Sequence, residues 1–323
     1  MKVAVVMNAG AGSIGDANFE QRKTEILAAC AAAGIEATLH PCEPARLTET
    51  AGALAATGVD AVIAAGGDGT VSAVATALAG GAVPLAVFPL GTLNHFARDL
   101  RMPLDLAGCA RAIAARHVVH VDLGELNGRS FVNNSSIGLY PETVILRDAD
   151  RKALGRSKWP AMFFAALRVL RRFPLLHVAI VTSAGAMRAK TPFVFIGNNT
   201  YTINMLGLGE RPALNGGVLS LYMLRATSRL RMFWLMVRAL LQRLDRVQDF
   251  EAHQIGEVVI STGHRHLKVA LDGEVVRMSP PLHYRTRPGV LPVLAPPPAA
   301  LDDTRAADGA SSGLAGLVAD HAT

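Results

Sequence analysis

Through its first 122 residues the chain alternates short apolar runs with segments of helical spacing. Val3–Met7, Ala37–His40, Ala61–Ala65, Leu85–Phe88 and Val118–Val121 read as strands. Between them Asn18–Ala33, Leu47–Ala56 (after Pro44), Val71–Ala79 and Asp105–Ala115 read as helices. This alternation predicts a mostly parallel sheet covered on both faces, with ligands at the carboxyl ends of its strands, where the Gly-rich turns lie.

From about Leu123 the pattern changes. "SFVNNSSIGL", "LHVAIVT", "TPFVFIGN", "GVLSLYML", "EVVIST" and "LKVALDGEVV" are strand-like runs with turn residues between them. They predict a second, largely antiparallel β domain over 123–282. Two basic amphipathic helices are expected to interrupt it, near 158–172 and 228–246. The last strands, 283–295, are expected to rejoin the first domain (1–122). The segment 296–323 is rich in Pro, Ala, Gly, Ser and Asp and reads as a disordered tail.

Composition narrows the function classes. Half of the 323 residues are hydrophobic and 5% are aromatic, a mix that suits packed α/β layers rather than a fibrous or disordered chain. The net charge of +6 points to an anionic partner: phosphate, nucleic acid or a membrane surface. Cys30, Cys42 and Cys109 make neither a metal spacing nor an even disulfide set, so a reducing cytosol is expected. The opening apolar run is too short for a secretion signal. The most apolar segment, 230–244, is interrupted by Arg231, Arg238 and Arg243, whereas a membrane span needs roughly 20 apolar residues.

The chemistry concentrates in turns that follow strands. In "VIAAGGDGTVSAVATAL" (62–78) a buried run breaks into Gly66-Gly67-Asp68-Gly69-Thr70 and a helix follows. A helix N-terminus after glycines is a natural phosphate site. The stretch lacks the Gly-Lys-Ser/Thr of a P-loop and the spacing of a dinucleotide fingerprint. Asp68 would repel bare phosphate, but suits a Mg²⁺ or a hydroxyl standing between them; alternatively, Asp68 or Thr70 only caps the helix. "MNAGAG" (7–12), with Asn8, Gly10 and Gly12, and "FPLGTLNHFARDL" (88–100), with Gly91 and Thr92, are turns at the same end of the expected sheet. Together the three favour nucleotide binding.

"GGDGTVSAV", then "PLGTLNHFARDL", then "VALDGEVV" resemble the diacylglycerol kinase catalytic-domain family, which includes bacterial soluble lipid kinases and the sphingosine and ceramide kinases. The resemblance covers about residues 2 to 294. It implies a Rossmann-like α/β domain of the NAD kinase and phosphofructokinase type, a C-terminal β-sandwich-like domain, and an ATP site between them. Matched by motif, Asn8, Gly10, Gly12, Gly67, Asp68, Gly69, Thr70, Val71, Ser72, Ala73 and Thr92 would contact ATP. Asp68 and Asp122 would serve a Mg²⁺–phosphate network, and Glu274 would accept the proton of the attacking hydroxyl. Several positions depart from the pattern. Ser72 and Ala73 replace Asn-Glu, His95 replaces an Asp, Gly216 stands where an accessory-magnesium Asp is common, and Pro41 replaces a Thr. The acidic network is therefore thinner than the family's.

Read from residues alone, Asp272-Gly273 is an ordinary hairpin turn. Phosphoryl transfer to an alcohol also needs a proton acceptor, a role the resemblance gives to Glu274, with Asp68 as the alternative. The basic excess of Arg147, Arg151, Lys152, Arg156, Lys158, Arg168, Arg171 and Arg172, beside Trp159, Phe163 and Phe164, fits peripheral contact with anionic lipid. The second basic helix reads as a core helix with a solvated stripe. No motif supports nucleic-acid binding. The expectation is a cytoplasmic, peripheral lipid kinase using ATP and Mg²⁺, with a diacylglycerol-type acceptor and with a homodimer left open. Its rivals are a small-molecule kinase related to NAD kinase and a non-catalytic nucleotide- or lipid-binding module.

Overall fold

The computed structural model describes residues 1–9, 16–138, 175–201, 203–204, 207–208, 211–224 and 250–298. Gly10, Gly12, both expected basic helices and the tail beyond 298 lie outside these residues. The chain divides into two compact units, Met1–His120 with the chain from Leu291, and Val121–Val290.

In the first unit, strands β1 (Lys2–Asn8), β2 (Glu36–Cys42), β3 (Ala61–Gly66) and β4 (Leu85–Pro89) form a parallel sheet in the order β2-β1-β3-β4. Every residue of β3 and β4 is buried, as expected of central parallel strands covered on both faces. The helices are α1 (Asp16–Ala32), α2 (Leu47–Ala55), α3 (Asp68–Leu78), α4 (His95–Asp99) and α5 (Leu106–Ala114). Asp105 caps α5 by accepting the Gly108 amide at 2.7 Å. Helix α3 begins at Asp68, three residues earlier than periodicity placed it. Its cap is Gly67, and neither Asp68 nor Thr70 occupies the capping position.

The second unit is built from antiparallel pairings around two larger sheets, with β11 and β12 as a separate two-stranded pair. Its strands are β5 (Val118–Leu126, shared with the first unit), β6 (Arg129–Phe131), β7 (Asn134–Gly138), β8 (Leu176–Thr182), β9 (Gly185–Thr191), β10 (Phe193–Asn198), β11 (Ile203–Asn204), β12 (Gly207–Leu208), β13 (Leu219–Leu224), β14 (Phe250–Ile255), β15 (Glu257–Thr262), β16 (Leu267–Leu271), β17 (Glu274–Met278) and β18 (Leu282–Leu294). One sheet runs β9-β8-β15-β18, with β5 beside β18 and β6 beside β5; the other runs β14-β13-β10-β7-β16-β17. Their inner faces share one core. Val178, Ile180, Val258, Ile260, Leu282 and Tyr284 come from the first sheet, and Ile137, Val194, Ile196, Leu221 and Val269 from the second. Such facing apolar layers make a β-sandwich. The Tyr284 hydroxyl, inside this core, lies 3.1 Å from Ser135 Oγ, which satisfies both groups.

Strand β18 carries both patterns in one 13-residue run. Its first half alternates, with Leu282 and Tyr284 buried and His283 and Arg285 exposed, and it pairs antiparallel with β15. From Leu291 to Leu294 every residue is buried, and Val293 sits parallel beside Leu85 of β4. The change in burial period along the strand follows the change from a one-faced to a two-faced environment.

All three cysteines are buried and unpaired in disulfides. Burial pushes the Cys30 thiol up from 9.0 to about 11. Burial, with the Asp105 carboxylate as a smaller cause, pushes Cys109 up to about 12. Both thiols stay neutral in the folded protein where an unfolded chain would ionise them. Their contribution to stability is therefore complete below pH 9 and is lost as the pH rises toward about 11 and 12. At pH 8 maleimide should label neither Cys30 nor Cys109 in the folded protein and both in urea, read by peptide mass spectrometry. Rapid native labelling of either would show that its helix opens readily.

Candidate active site

Two glycine turns meet at the carboxyl end of the parallel sheet. Gly66 closes β3 so tightly over Thr70 that a Cβ there would collide with the threonine side chain. A Cβ on Gly91 would stand 2.6 Å from the Cα of Gly67, so the turns after β3 and β4 lie backbone against backbone. Asn94, at φ +52°, pins the second turn: its Oδ1 accepts the Gly91 amide at 2.9 Å and its Nδ2 donates to the Gly91 carbonyl at 2.9 Å.

Asp68 joins these turns. Its Oδ1 accepts the Phe96 amide, 28 residues on in α4, at 3.2 Å, and its Oδ2 has no hydrogen-bond partner among the described residues. The carboxylate thus serves the N-terminus of one helix while belonging to the first turn of another. Thr70 and Val71 are buried, with Thr70 packed on Gly66, so their side chains serve the core. Gly67, Gly69, Ser72 and Ala73 are half-buried, Thr92 is exposed, and Asn8 ends β1 half-buried. These residues share one end of the sheet.

The second unit holds the other acids. Asp122 is 2% exposed, and each of its oxygens accepts a backbone amide, Gly289 at Oδ1 and Gly217 at Oδ2, both at 2.7 Å. It ties the loop before β13 to Gly289, a positive-φ residue within β18. Gly216 donates its amide to Asn199 Oδ1 at 2.7 Å, so this loop is stitched twice. Glu125, largely buried, pairs with Arg285 at 2.7 Å and Arg287 at 3.8 Å.

Glu274 is exposed and stands opposite Leu271 across a two-residue turn. Asp272 and Gly273 have φ of +47° and +88°, the conformation of a type I′ hairpin. The hairpin expectation is met, and the turn also presents Glu274 to solvent. Asp272, Asn94, Asn198 and Arg211 organise these loops, and pattern reading assigned none of them a role. Asp272 was visible only as half of an Asp-Gly turn, and nothing in the pattern marks a buried Arg211. Elsewhere in this unit Tyr201, Tyr222, Ser220 and Gln254 help to wall a concavity of about 500 Å³.

Among the described residues no three His, Cys, Asp or Glu side chains gather to hold a metal. A magnesium ion fits the Asp68 end in another way. Mg²⁺ usually keeps several waters and binds through one or two carboxylates plus substrate phosphates, and Asp68 offers one uncommitted oxygen beside two close-packed glycine turns.

Residues 2–126 match the diacylglycerol kinase catalytic domain. These residues are similar to that family. A Pseudomonas aeruginosa (strain PAO1) protein named "Probable lipid kinase YegS-like" is 39% identical over 119 residues, 36% of this chain and 37% of that protein. A diacylglycerol kinase of Staphylococcus epidermidis (strain RP62A) is 40% identical over 77 residues, 23% of this chain and 24% of that enzyme. The chain therefore spans well under half the length of these relatives. A solved structure from Bacillus anthracis str. Sterne, named "A putative diacylglycerol kinase", superposes with a TM-score of 0.68 at 26% identity, over 92% of this chain and 98% of that one. The fold of the diacylglycerol kinases therefore extends through both units, beyond the matched catalytic-domain residues.

The amide bonds of Asp122 make a structural forecast. Asp122→Asn turns an NH₂ toward one of two buried backbone donors, which should cost about 1–3 kcal/mol. Urea denaturation measures it. A change within about 0.5 kcal/mol, the range of an exposed position, would show that the two amides find other acceptors.

Proposed function

We propose that this protein is an ATP- and Mg²⁺-dependent lipid kinase whose acceptor is a lipid hydroxyl of the diacylglycerol type. The observation that carries the reading is Asp68, anchored by one oxygen to the Phe96 amide and, among the described residues, without a hydrogen bond at the other, between two glycine turns in backbone contact. Backbone amides at such turns suit phosphate oxygens, and a carboxylate among them makes sense beside a cation. When bound, Mg²⁺ would neutralise charge on the phosphates.

In the reaction the acceptor oxygen attacks the γ-phosphorus. The bond from that phosphorus to the β,γ-bridging oxygen breaks, ADP departs, and the hydroxyl proton passes to the Glu274 carboxylate. The Tyr201–Tyr222 concavity supports an acceptor headgroup in the second unit, because an aromatic wall with hydroxyl and amide groups suits a neutral polar head. A lipid acceptor calls for contact with a membrane, and the net charge of +6 favours an anionic surface. No helix among the described residues is long and apolar enough to cross a bilayer, which is compatible with a peripheral approach from the cytoplasmic face. A homodimer remains compatible with this reading.

Purified protein, labelled ATP and a panel of lipids in mixed micelles test the proposal. Phosphorylation should require Mg²⁺ and favour diacylglycerol. Glu274→Gln should lower kcat by about 10²- to 10⁴-fold while ATP still binds. Asp68→Asn should lower turnover severely with little change in melting temperature. ATP binding without transfer to any lipid would make the protein a nucleotide-binding module. Transfer to a soluble alcohol alone would make it a small-molecule kinase.

A further inference from the structure

The turn that carries Glu274 is held far more firmly than a hairpin requires. A type I′ turn needs two residues at positive φ, and Asn or Gly would serve at 272 as well as Asp. Asp272 instead directs its carboxylate at the segment Val132-Asn133-Asn134. Oδ2 accepts the Val132 amide at 2.7 Å, and Oδ1 accepts those of Asn133 at 2.8 Å and Asn134 at 3.0 Å. The Asp272 amide donates back to the Asn134 carbonyl at 2.9 Å.

The carbonyl side of the same segment is held by a cation. Arg211 is 4% exposed; its Nη1 donates to the Val132 carbonyl at 2.7 Å, and its Nη2 to Asn133 Oδ1 at 2.7 Å. Asn198 Nδ2 donates to the Val132 carbonyl at 2.8 Å, and the Tyr201 hydroxyl to the Asn133 carbonyl at 2.9 Å. The guanidinium also lies over the Tyr201 ring, 5.5 Å from its centre. An anion therefore faces the N–H edge of Val132–Asn134 and a cation faces its C=O edge. Each polarises the peptide groups in the same sense, so the bonds strengthen one another.

We infer that Asp272 and Arg211 are positioning residues for Glu274: they clamp Val132–Asn134 from opposite edges and thereby fix the turn from which Glu274 projects. The inference rests on Glu274 being the proton acceptor proposed above. Glu274 is exposed and its side chain has no hydrogen bond among the described residues, so its placement depends on its backbone, paired with Leu271. A general base must stay within hydrogen-bond reach of the proton it takes, and a 1 Å displacement can cost about 10²-fold in rate. A buried arginine on the segment that the turn itself bonds supplies that precision.

Asp272→Asn tests the clamp with the turn preserved, because Asn also adopts positive φ. It should lower kcat by roughly 10- to 100-fold with ATP affinity within about twofold of the parent. In a Glu274→Gln background the same change should add almost nothing, since the positioned group is gone. Arg211→Lys, whose single ammonium replaces a planar fork, should lower kcat in the same way and speed amide exchange at 272–276, while peptides of α3 stay unchanged. Three results would overturn the inference: additive losses in the Asp272→Asn, Glu274→Gln double mutant, parental kcat in Asp272→Asn, or parental exchange at 272–276 in Arg211→Lys. If Glu274→Gln alone keeps full turnover, the proton-acceptor reading fails instead, and exchange in Arg211→Lys still decides whether the clamp exists. Should Asp272→Asn not fold, Arg211→Lys carries the test through both kcat and exchange.

Discussion

A backbone amide removed from water must find an acceptor, and this requirement shapes the second unit more than any single apolar contact. The segments between its strands are irregular, yet Val132, Asn133 and Asn199 are all buried, as is Asn198 at the end of β10. No ladder can satisfy every group in such segments. Two carboxylates, one guanidinium and several amide side chains take the ladder's place. Asp122 serves Gly217 and Gly289, Asp272 serves three consecutive amides, and Asn199 serves Gly216. Each acceptor joins parts of the chain far apart in sequence. The sandwich core of Val178, Ile196, Leu221 and Val269 gives the unit its cohesion, and these polar ties give its loops one geometry.

That division explains what was legible beforehand. Periodicity reports which face of an element is wet, so β1 to β4, the helices between them and the sandwich strands with alternating or continuous apolar runs were readable. Strand β9, "GAMRAKT", was not, because its outward face is Ala186, Arg188 and Lys190 and only Met187 and Ala189 pack on the core. Strand β14, "FEAHQI", hides for the same reason: Ala252, His253 and Gln254 are exposed. The start of α3 was placed late since Asp68-Gly69-Thr70 looks like loop by propensity, and packing against the neighbouring turn overrides that preference.

The site was legible in its residues and not in their partners. Asp68 and Glu274 could be singled out because an acid between glycines and an acid after a tight turn are unusual. Asp122 was marked only by the family resemblance, and its burial under two amide donors depends on Gly217 and Gly289, 95 and 167 residues away. Arg211 gives no signal at all, since an arginine beside a proline in a Gly-rich stretch reads as solvated. Its burial becomes intelligible only once the carbonyls of Val132 and Asn198 are seen to converge on it.

The sparseness of acid in the turns after β3 and β4 has a physical consequence. Helix α4 has five residues, and its cap, Asn94, sits at positive φ with its side chain turned back to Gly91, so it cannot serve α4. The Phe96 amide therefore takes its acceptor from Asp68. One oxygen of the only acid in this pair of turns is thus committed to holding α4 against α3. The position where the family resemblance places a second acid is His95, exposed at the start of the same helix. Among the described residues of this unit a cation here would have a single carboxylate oxygen, and it would depend on phosphate and water for its other ligands. Nucleotide and metal would then bind as one unit, and Asp68 would orient that unit rather than hold the metal alone.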